Sequence, residues 1–301
     1  MRRLTVALAL LVLLATGCAP ARTGTLGPAP AGASPTVSAA PTSAGAGPTP
    51  ATGAPSRRPP ATSPGTTTPA ASEEPSPNGT ITVQLWFARD GKLVPTRRTL
   101  PATLATSRLA LTELAAGPSA AEAAAGLTTV VPAGGQVVRI ADRVATLALP
   151  AGFDAGDAAT VRLRRAQVVW TLTQFPTVGR VAFTPGDAAP TGRGAYADLL
   201  PAIVVTAPAV GDRLASPVTV TGTAEVFEAT VSVRVLDAGG REIGTAFTTA
   251  ACGSGCRGDY RATVGYRLAA TGPGTVEVYE VSARDGRRIN VVRIPVLLTA
   301  R

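Results

Sequence analysis

The sequence predicts an α+β domain followed by an all-β immunoglobulin-like sandwich, both carried behind a disordered N-terminal tether. Three observations lead there. Between residues 79 and 190, stretches of strand period alternate with stretches of helical period. From residue 200 onward only the strand period remains, and residues 19–78 show no period at all.

The α+β domain is expected over residues 79–190. Ile81, Val83, Leu85 and Phe87 alternate with Thr82, Gln84, Trp86 and Ala88, the pattern of a half-buried strand. A helix is predicted over residues 107–116, with Ala110, Leu111 and Leu114 on one side. Gly117-Pro118 ends it, since glycine tolerates the left-handed turn and proline cannot continue a helix. Residues 136–140 and 144–149 read as two short strands around Ala141-Asp142-Arg143. A second helix follows over residues 157–174, with Val161, Val168, Leu172 and Phe175 at helical spacing. A last strand, residues 180–183, precedes Gly186. The order is therefore strand, helix, hairpin, helix, strand.

Residues 200–301 supply seven short strand candidates: 202–206, 218–223, 229–235, 242–248, 259–266, 275–281 and 291–298. Val231, Val233 and Val235 alternate with Thr230, Ser232 and Arg234, so one face points inward and the other outward. Gly239-Gly240 and Asp285-Gly286 supply turns. Strands this short and this closely punctuated indicate a sandwich of immunoglobulin type. Pro295, which has no N–H to donate, predicts an edge position for the final strand.

At the N-terminus, Arg2 and Arg3 precede an apolar run over residues 4–14, then Ala15-Thr16-Gly17-Cys18. That run is too short to span a bilayer, which takes roughly 20 residues, and suits the core of a signal peptide. Small residues before Cys18 give a peptidase access to the bond, and the Cys18 thiol is where a lipid would be joined. The pattern resembles a bacterial lipoprotein signal, with Ala15 where leucine is commoner. Residues 1–18 are thus expected to be a lipoprotein signal peptide and the protein to sit at the outer face of the cytoplasmic membrane. Residues 19–78, rich in Pro, Ala, Thr, Ser and Gly, carry only Arg22, Arg57, Arg58, Glu73 and Glu74 as charges. Such a tract buries too little apolar surface to offset its ordering entropy, and as a flexible coil would reach roughly 40–50 Å.

The formal net charge is +9, but the basic residues are scattered, Lys92 is the only lysine, and no run suggests a nucleic-acid face. The absence of histidine removes the usual general base and most zinc sites, so no metal or cofactor is expected. With Cys18 set aside for lipid, Cys252 and Cys256 remain in Cys-Gly-Ser-Gly-Cys. In an oxidising compartment that spacing reads as a small disulfide across a glycine-bearing loop. A metal site would need further ligands, and a redox pair would need C-x-x-C at a helix start.

Leu109-Ala-Leu-Thr-Glu-Leu-Ala-Ala-Gly-Pro-Ser119, residues 127–132 and Gln167-Val-Val-Trp-Thr-Leu-Thr-Gln-Phe-Pro-Thr-Val-Gly-Arg-Val-Ala-Phe183 resemble the GerMN domain of sporulation and spore-germination proteins. Ser216-Pro-Val-Thr-Val-Thr-Gly-Thr-Ala-Glu-Val-Phe-Glu-Ala-Thr230, with residues 252–258 and 280–286, resembles the immunoglobulin-like domain found behind GerMN. Arg143 stands where that family tends to carry a hairpin glycine. The resemblance implies an envelope protein that acts through contacts. In related lipoproteins it implies work alongside a membrane sensor kinase.

Two glutamates invite a catalytic reading. Glu228 interrupts Val226-Phe227-Glu228-Ala229, and Glu280 shares the alternation phase of Val276 and Val278. Read as chemistry, they are a carboxylate pair of a wall hydrolase. Read as structure, they accept hydrogen bonds or sit at a bulge. Trp170 lies across the second helix from Val161 and Val168 and alongside Leu163. It either packs under a loop or against the sandwich, or forms with Leu163 an exposed partner-binding patch. The function expected is a membrane-anchored, non-catalytic binding or scaffolding module for an envelope protein. A cell-wall binding module and a carboxylate-dependent wall hydrolase are the alternatives.

Overall fold

The computed structural model describes residues 79–184 and 189–301; the expected signal peptide, Cys18 and the tether lie outside them. The described residues all fall in one compact unit, and both hydrophobic cores close within it.

The first element is a hairpin rather than the single strand expected. β1 (Thr80–Arg89) pairs antiparallel with β2 (Lys92–Pro101) through Asp90 and Gly91, whose φ angles are 53° and 72°. Both turn residues are left-handed, which is the geometry that Asp-Gly adopts most readily between two strands. β2 escapes sequence detection because two prolines and two arginines break its alternation. The pairing absorbs one of them: Pro95 lies opposite Trp86.

α1 (Thr106–Ala116) follows and stops at Gly117, φ 91°. A second, unexpected helix, α2 (Ala120–Ala124), is one turn long and held by a capping box. Ser119 N donates to Glu122 Oε2 and Glu122 N to Ser119 Oγ. β3 (Gln136–Ala141) and β4 (Val144–Ala148) form the expected hairpin. Asp142 and Arg143 hold φ of 50° and 59°, so Arg143 takes the left-handed position without glycine. Its carbonyl accepts from Gly179 N and Arg180 N, which fixes the turn to the next strand. α3 (Ala158–Leu172) starts where Asp157 accepts from Thr160 N at 2.7 Å, and β5 (Arg180–Thr184) pairs parallel with β4.

One edge of β1 belongs to β2; the other has no strand beside it. α3 closes it with Gln167 and Thr171, one helical turn apart, and Gln174 just past the helix end continues the row. Gln174 donates to Gln84 O and accepts from Gln84 N, each at 2.7 Å. Thr171 Oγ1 accepts from Trp86 N at 3.1 Å, and Gln167 Nε2 donates to Trp86 O at 3.0 Å. The next residue, Ala88, exchanges two 2.8 Å bonds with Thr128. Gln167 and Thr171 are fully buried, so water offers these groups no alternative. Around this ladder the core gathers Leu85 and Phe87 of β1, Leu114 of α1, Val168 and Leu172 of α3, and Val181 of β5. A 3-10 segment (Arg193–Leu199) runs over the same unit and adds Tyr196 to its core.

The second half is the expected sandwich. One sheet orders β10 (Glu242–Thr249), β9 (Thr230–Asp237), β12 (Gly272–Val281), β13 (Arg288–Leu298) and β7 (Arg213–Leu214). The other orders β11 (Gly258–Val264), β8 (Val218–Ala224) and β6 (Ile203–Ala207). All seven expected strands are present, and β7 is the addition. Val231, Val233, Val235, Val276 and Val278 face Val220, Ala262 and Val264 across the core. Tyr260 OH donates to Val204 O at 3.2 Å, and Gly222 sits so close to both that a Cβ there would collide. β13 is not quite an edge strand: β7 pairs parallel with Leu297 and Leu298. Pro295 faces the same side, its carbonyl accepting from Gly211 N at 2.9 Å, so its missing N–H costs no ladder bond to β12.

Replacing Thr171 with Val keeps shape and removes the only acceptor of Trp86 N. Urea unfolding of residues 69–301 should register a loss of about 1–3 kcal/mol. An unchanged midpoint would mean that water reaches this edge.

Candidate functional site

The two glutamates flagged as a carboxylate pair have different surroundings. Glu280 is 7% exposed and lies at a bulge where the β12–β13 register shifts. Its Oε1 accepts from Phe227 N at 3.0 Å and its Oε2 from Asn290 Nδ2 at 2.7 Å, so it pins the turn before β9 to the end of the sheet. Glu228 is exposed in that turn, at φ 52°. One carboxylate is spent on structure and the other points to solvent.

A third acid went unremarked in the sequence. Glu277 is 1% exposed, although it lies on the outer face of its sheet. Arg234 Nε and Nη2 reach its Oε1 at 2.7 and 2.6 Å. Arg293 Nε lies 2.9 Å from Oε2 but off the hydrogen-bonding direction, so that oxygen is matched by charge alone. Its odd phase between Val276 and Val278 was the available signal. What it could not show is that Arg234 and Arg293 arrive from the two neighbouring strands.

The α+β half has a comparable cluster. Arg98 of β2 donates to Glu113 of α1 at 3.0 Å, to Glu122 of α2 at 2.8 Å and to Gly117 O at 2.8 Å, with its guanidinium over the Phe87 ring. Glu122 also accepts from Thr96 Oγ1 at 2.6 Å. Burial alone would raise the Glu122 pKa; the bonds from Thr96, Ser119 and Arg98 outweigh it and hold the carboxyl below the usual value. These charges join three elements and leave no free acid or base.

Trp170 and Leu163 are half-buried and pack against the first core. Trp170 meets Trp86 at a ring-centroid distance of 4.6 Å and carries the Arg193 guanidinium 4.6 Å above its own ring. Arg193 Nη2 also donates to Trp170 O at 3.2 Å, and Trp170 Nε1 is buried without a partner. Trp170 therefore lies beneath the 3-10 segment that bears Arg193. Cys252 and Cys256 form a disulfide with Cα atoms 5.7 Å apart. Among the described residues no three His, Cys, Asp or Glu side chains gather as a metal site.

The concave feature with the chemistry of a binding site lies where the β1–β2 hairpin meets the sandwich. This cleft of about 230 Å³ is walled by Leu93, Val94 and Pro95 of β2, Ile203 and Val205 of β6, and Val292 of β13. Arg89, Lys92 and Arg293 bring positive charge to it, with Asp90 as the acid. Arg97 of the hairpin pairs with Asp212 of the sandwich at 2.7 Å and joins the halves, while Lys92 Nζ donates to Asp198 O of the 3-10 segment at 2.8 Å. Ligand pockets usually span about 300–1,000 Å³, so this one suits a side chain or a short apolar segment with an anionic neighbour. No sequence period could reveal it, because its walls come from segments up to two hundred residues apart.

Comparison with family models matches residues 84–187 to Germane, described as sporulation and spore germination. Residues 202–287 match Gmad2, the immunoglobulin-like domain of bacterial spore germination. The chain thus carries a GerMN-type domain followed by a germination-type immunoglobulin-like domain, and neither description is of an enzyme. No curated protein matches. Among solved structures, the tandem GerMN domains of the sporulation protein GerM from Bacillus subtilis are 18% identical, with TM-score 0.33 over 74% of this chain and 61% of that one. The first GerMN domain of the same protein is 25% identical, with TM-score 0.32 over 38% of this chain and 96% of that one. The chain therefore spans less than two thirds of the tandem structure.

Two measurements test these assignments. A carboxylate whose folded pKa is lowered adds stability above its unfolded value and loses it as pH falls through the folded one. Thermal midpoints should therefore drop as pH falls below about 4.5, and Glu122→Gln should lower the midpoint at neutral pH while flattening that acid decline. An unaltered acid slope would remove Glu122 from the account. Replacing Cys252 and Cys256 together with Ser opens a five-residue loop, and chain entropy puts the loss at about 2 kcal/mol. Equal stability with and without reductant would show that the bridge adds nothing.

Proposed function

We propose that this chain is a membrane-anchored, non-catalytic lipoprotein that presents the junction of its two domains to another envelope protein. The observation that carries the reading is the cleft between the hairpin and the sandwich, apolar in its walls and cationic at its mouth. Such a site recognises by shape, burial and charge. It brings no nucleophile and no paired carboxylates to a substrate.

The anchor supplies the rest of the mechanism. Lipid on Cys18 and a tether over residues 19–78 would confine the domains to a shell near the membrane, which raises their effective concentration for partners embedded there. A membrane sensor kinase is one such partner. The matched domains are described for sporulation and germination proteins, and the part of that role shared here is contact rather than chemistry. The alternative is a cell-wall component as the occupant of the cleft, with arginines at its mouth meeting the carboxylates of wall peptides.

A photo-reactive residue in place of Val94, which is half-buried in the cleft wall, distinguishes these readings in intact cells. Crosslinks to a membrane protein are expected. Crosslinks to wall fragments would favour the alternative, and none above background would reject the cleft. In parallel, Cys18→Ala should move the protein from the membrane to the soluble fraction, and unchanged detergent-dependent retention would reject the anchor.

A further inference from the structure

A second concave surface shares no lining residue with the cleft. It is an open groove of about 370 Å³ between the start of α1 and β3, the outermost strand of its three-stranded sheet. Three of the exposed large apolar side chains meet there: Leu104, 88% exposed, Val138 and Ile140. Isolated exposed aliphatics need no explanation, but three around one groove mark a contact surface.

Its charged side chains all have one sign. The first helical bond of α1 runs from Leu109 N to Ala105 O, which leaves the N–H groups of Thr106, Ser107 and Arg108 without a helical acceptor. Ala105 at the cap has no side chain to receive them. Ser107 is 93% buried by its 7% exposure, lines the groove, and its hydroxyl has no hydrogen-bond partner among the described residues. Arg108 spends Nε on Val137 O at 3.0 Å and keeps its charge at the groove, where Arg139 adds a second. No Asp or Glu lines it. Donors converge at one end, apolar surface extends away from them, and a strand edge runs alongside.

We propose that this groove receives the C-terminal end of an extended apolar peptide from another protein. The terminal carboxylate would accept from the first-turn N–H groups of α1 and the Ser107 hydroxyl. The preceding residues would run beside β3 and cover Leu104, Val138 and Ile140. A carboxylate suits this end because unsatisfied helix N–H groups and two arginines favour an anion, and because the rest of the groove requires a chain that is apolar. Strand addition explains why Val138 and Ile140 lie on β3 rather than on a helix.

The test uses residues 69–301 labelled with nitrogen-15 and two probes, an acetylated hexapeptide ending in Leu-Val-Val with a free carboxylate and the same peptide amidated. The expected result is shifts of the amides of residues 104–108 and 136–141 with the carboxylate form, and at least tenfold weaker binding of the amide. Ala105→Asp supplies the missing cap, so it should raise the thermal midpoint while weakening the carboxylate peptide at least tenfold. Loss of binding through misfolding would instead lower the midpoint. Leu104→Ser, at a nearly free side chain, should weaken binding and leave the midpoint unchanged. Equal binding of both peptides, shifts confined to other residues, or no shifts at millimolar peptide would each overturn the proposal. So would phosphatidylglycerol vesicles shifting these amides where the peptide does not.

Discussion

A two-stranded sheet leaves one edge of each strand without a partner, and the free edge of β1 is the constraint on which the α+β half depends. Its N–H and C=O groups are buried and cannot turn to water, so something must bond them. α3 and the turn that follows it do so with Gln167, Thr171 and Gln174, three side chains spaced to match alternate residues of the strand. This demand sets the rotation of α3 about its axis more tightly than its apolar residues could, because hydrogen bonds are directional and hydrophobic contact is not. With the helix so placed, Trp170 meets Trp86, Arg193 covers Trp170, and the segment bearing Arg193 is led toward the sandwich.

Charge is used in the same way throughout the described residues. Buried Glu122 is met by Arg98 and buried Glu277 by Arg234 and Arg293, each from a neighbouring element, and Glu280 holds a backbone N–H and an asparagine. A buried carboxylate without such partners would be costly, and removing one partner leaves that cost exposed. These acids therefore work as joints between elements. The two concave surfaces lie elsewhere, where arginines stand beside apolar walls.

Much of the fold was legible from sequence period. Alternating valines gave every strand of the sandwich apart from β7, and the apolar spacing of α1 and α3 located both helices to within a residue or two. β2 was missed because Pro95, Arg97 and Arg98 hide its alternation, although Asp90-Gly91 signalled a hairpin. α2 was missed because it is one turn long, although Ser119-x-x-Glu122 is a capping signature. The candidate sites were less legible. Glu280 stood out by its phase, yet the deeper burial belongs to Glu277, whose arginines come from two other strands. Cys18 lies outside the described residues, whereas Cys252 and Cys256 are joined as their spacing suggested.

The sequence by itself determined the class of each half, the run of its elements and the shortage of groups suited to catalysis. These follow from local period, turn chemistry and composition, which act between residues close along the chain. Tertiary structure alone decided which polar groups are consumed and which remain open. The closure of β1 by α3, the arginine pairs around Glu277 and the cleft at the junction all join residues tens to hundreds of positions apart. Only the folded chain brings such groups within hydrogen-bonding distance, and only burial makes their partners matter.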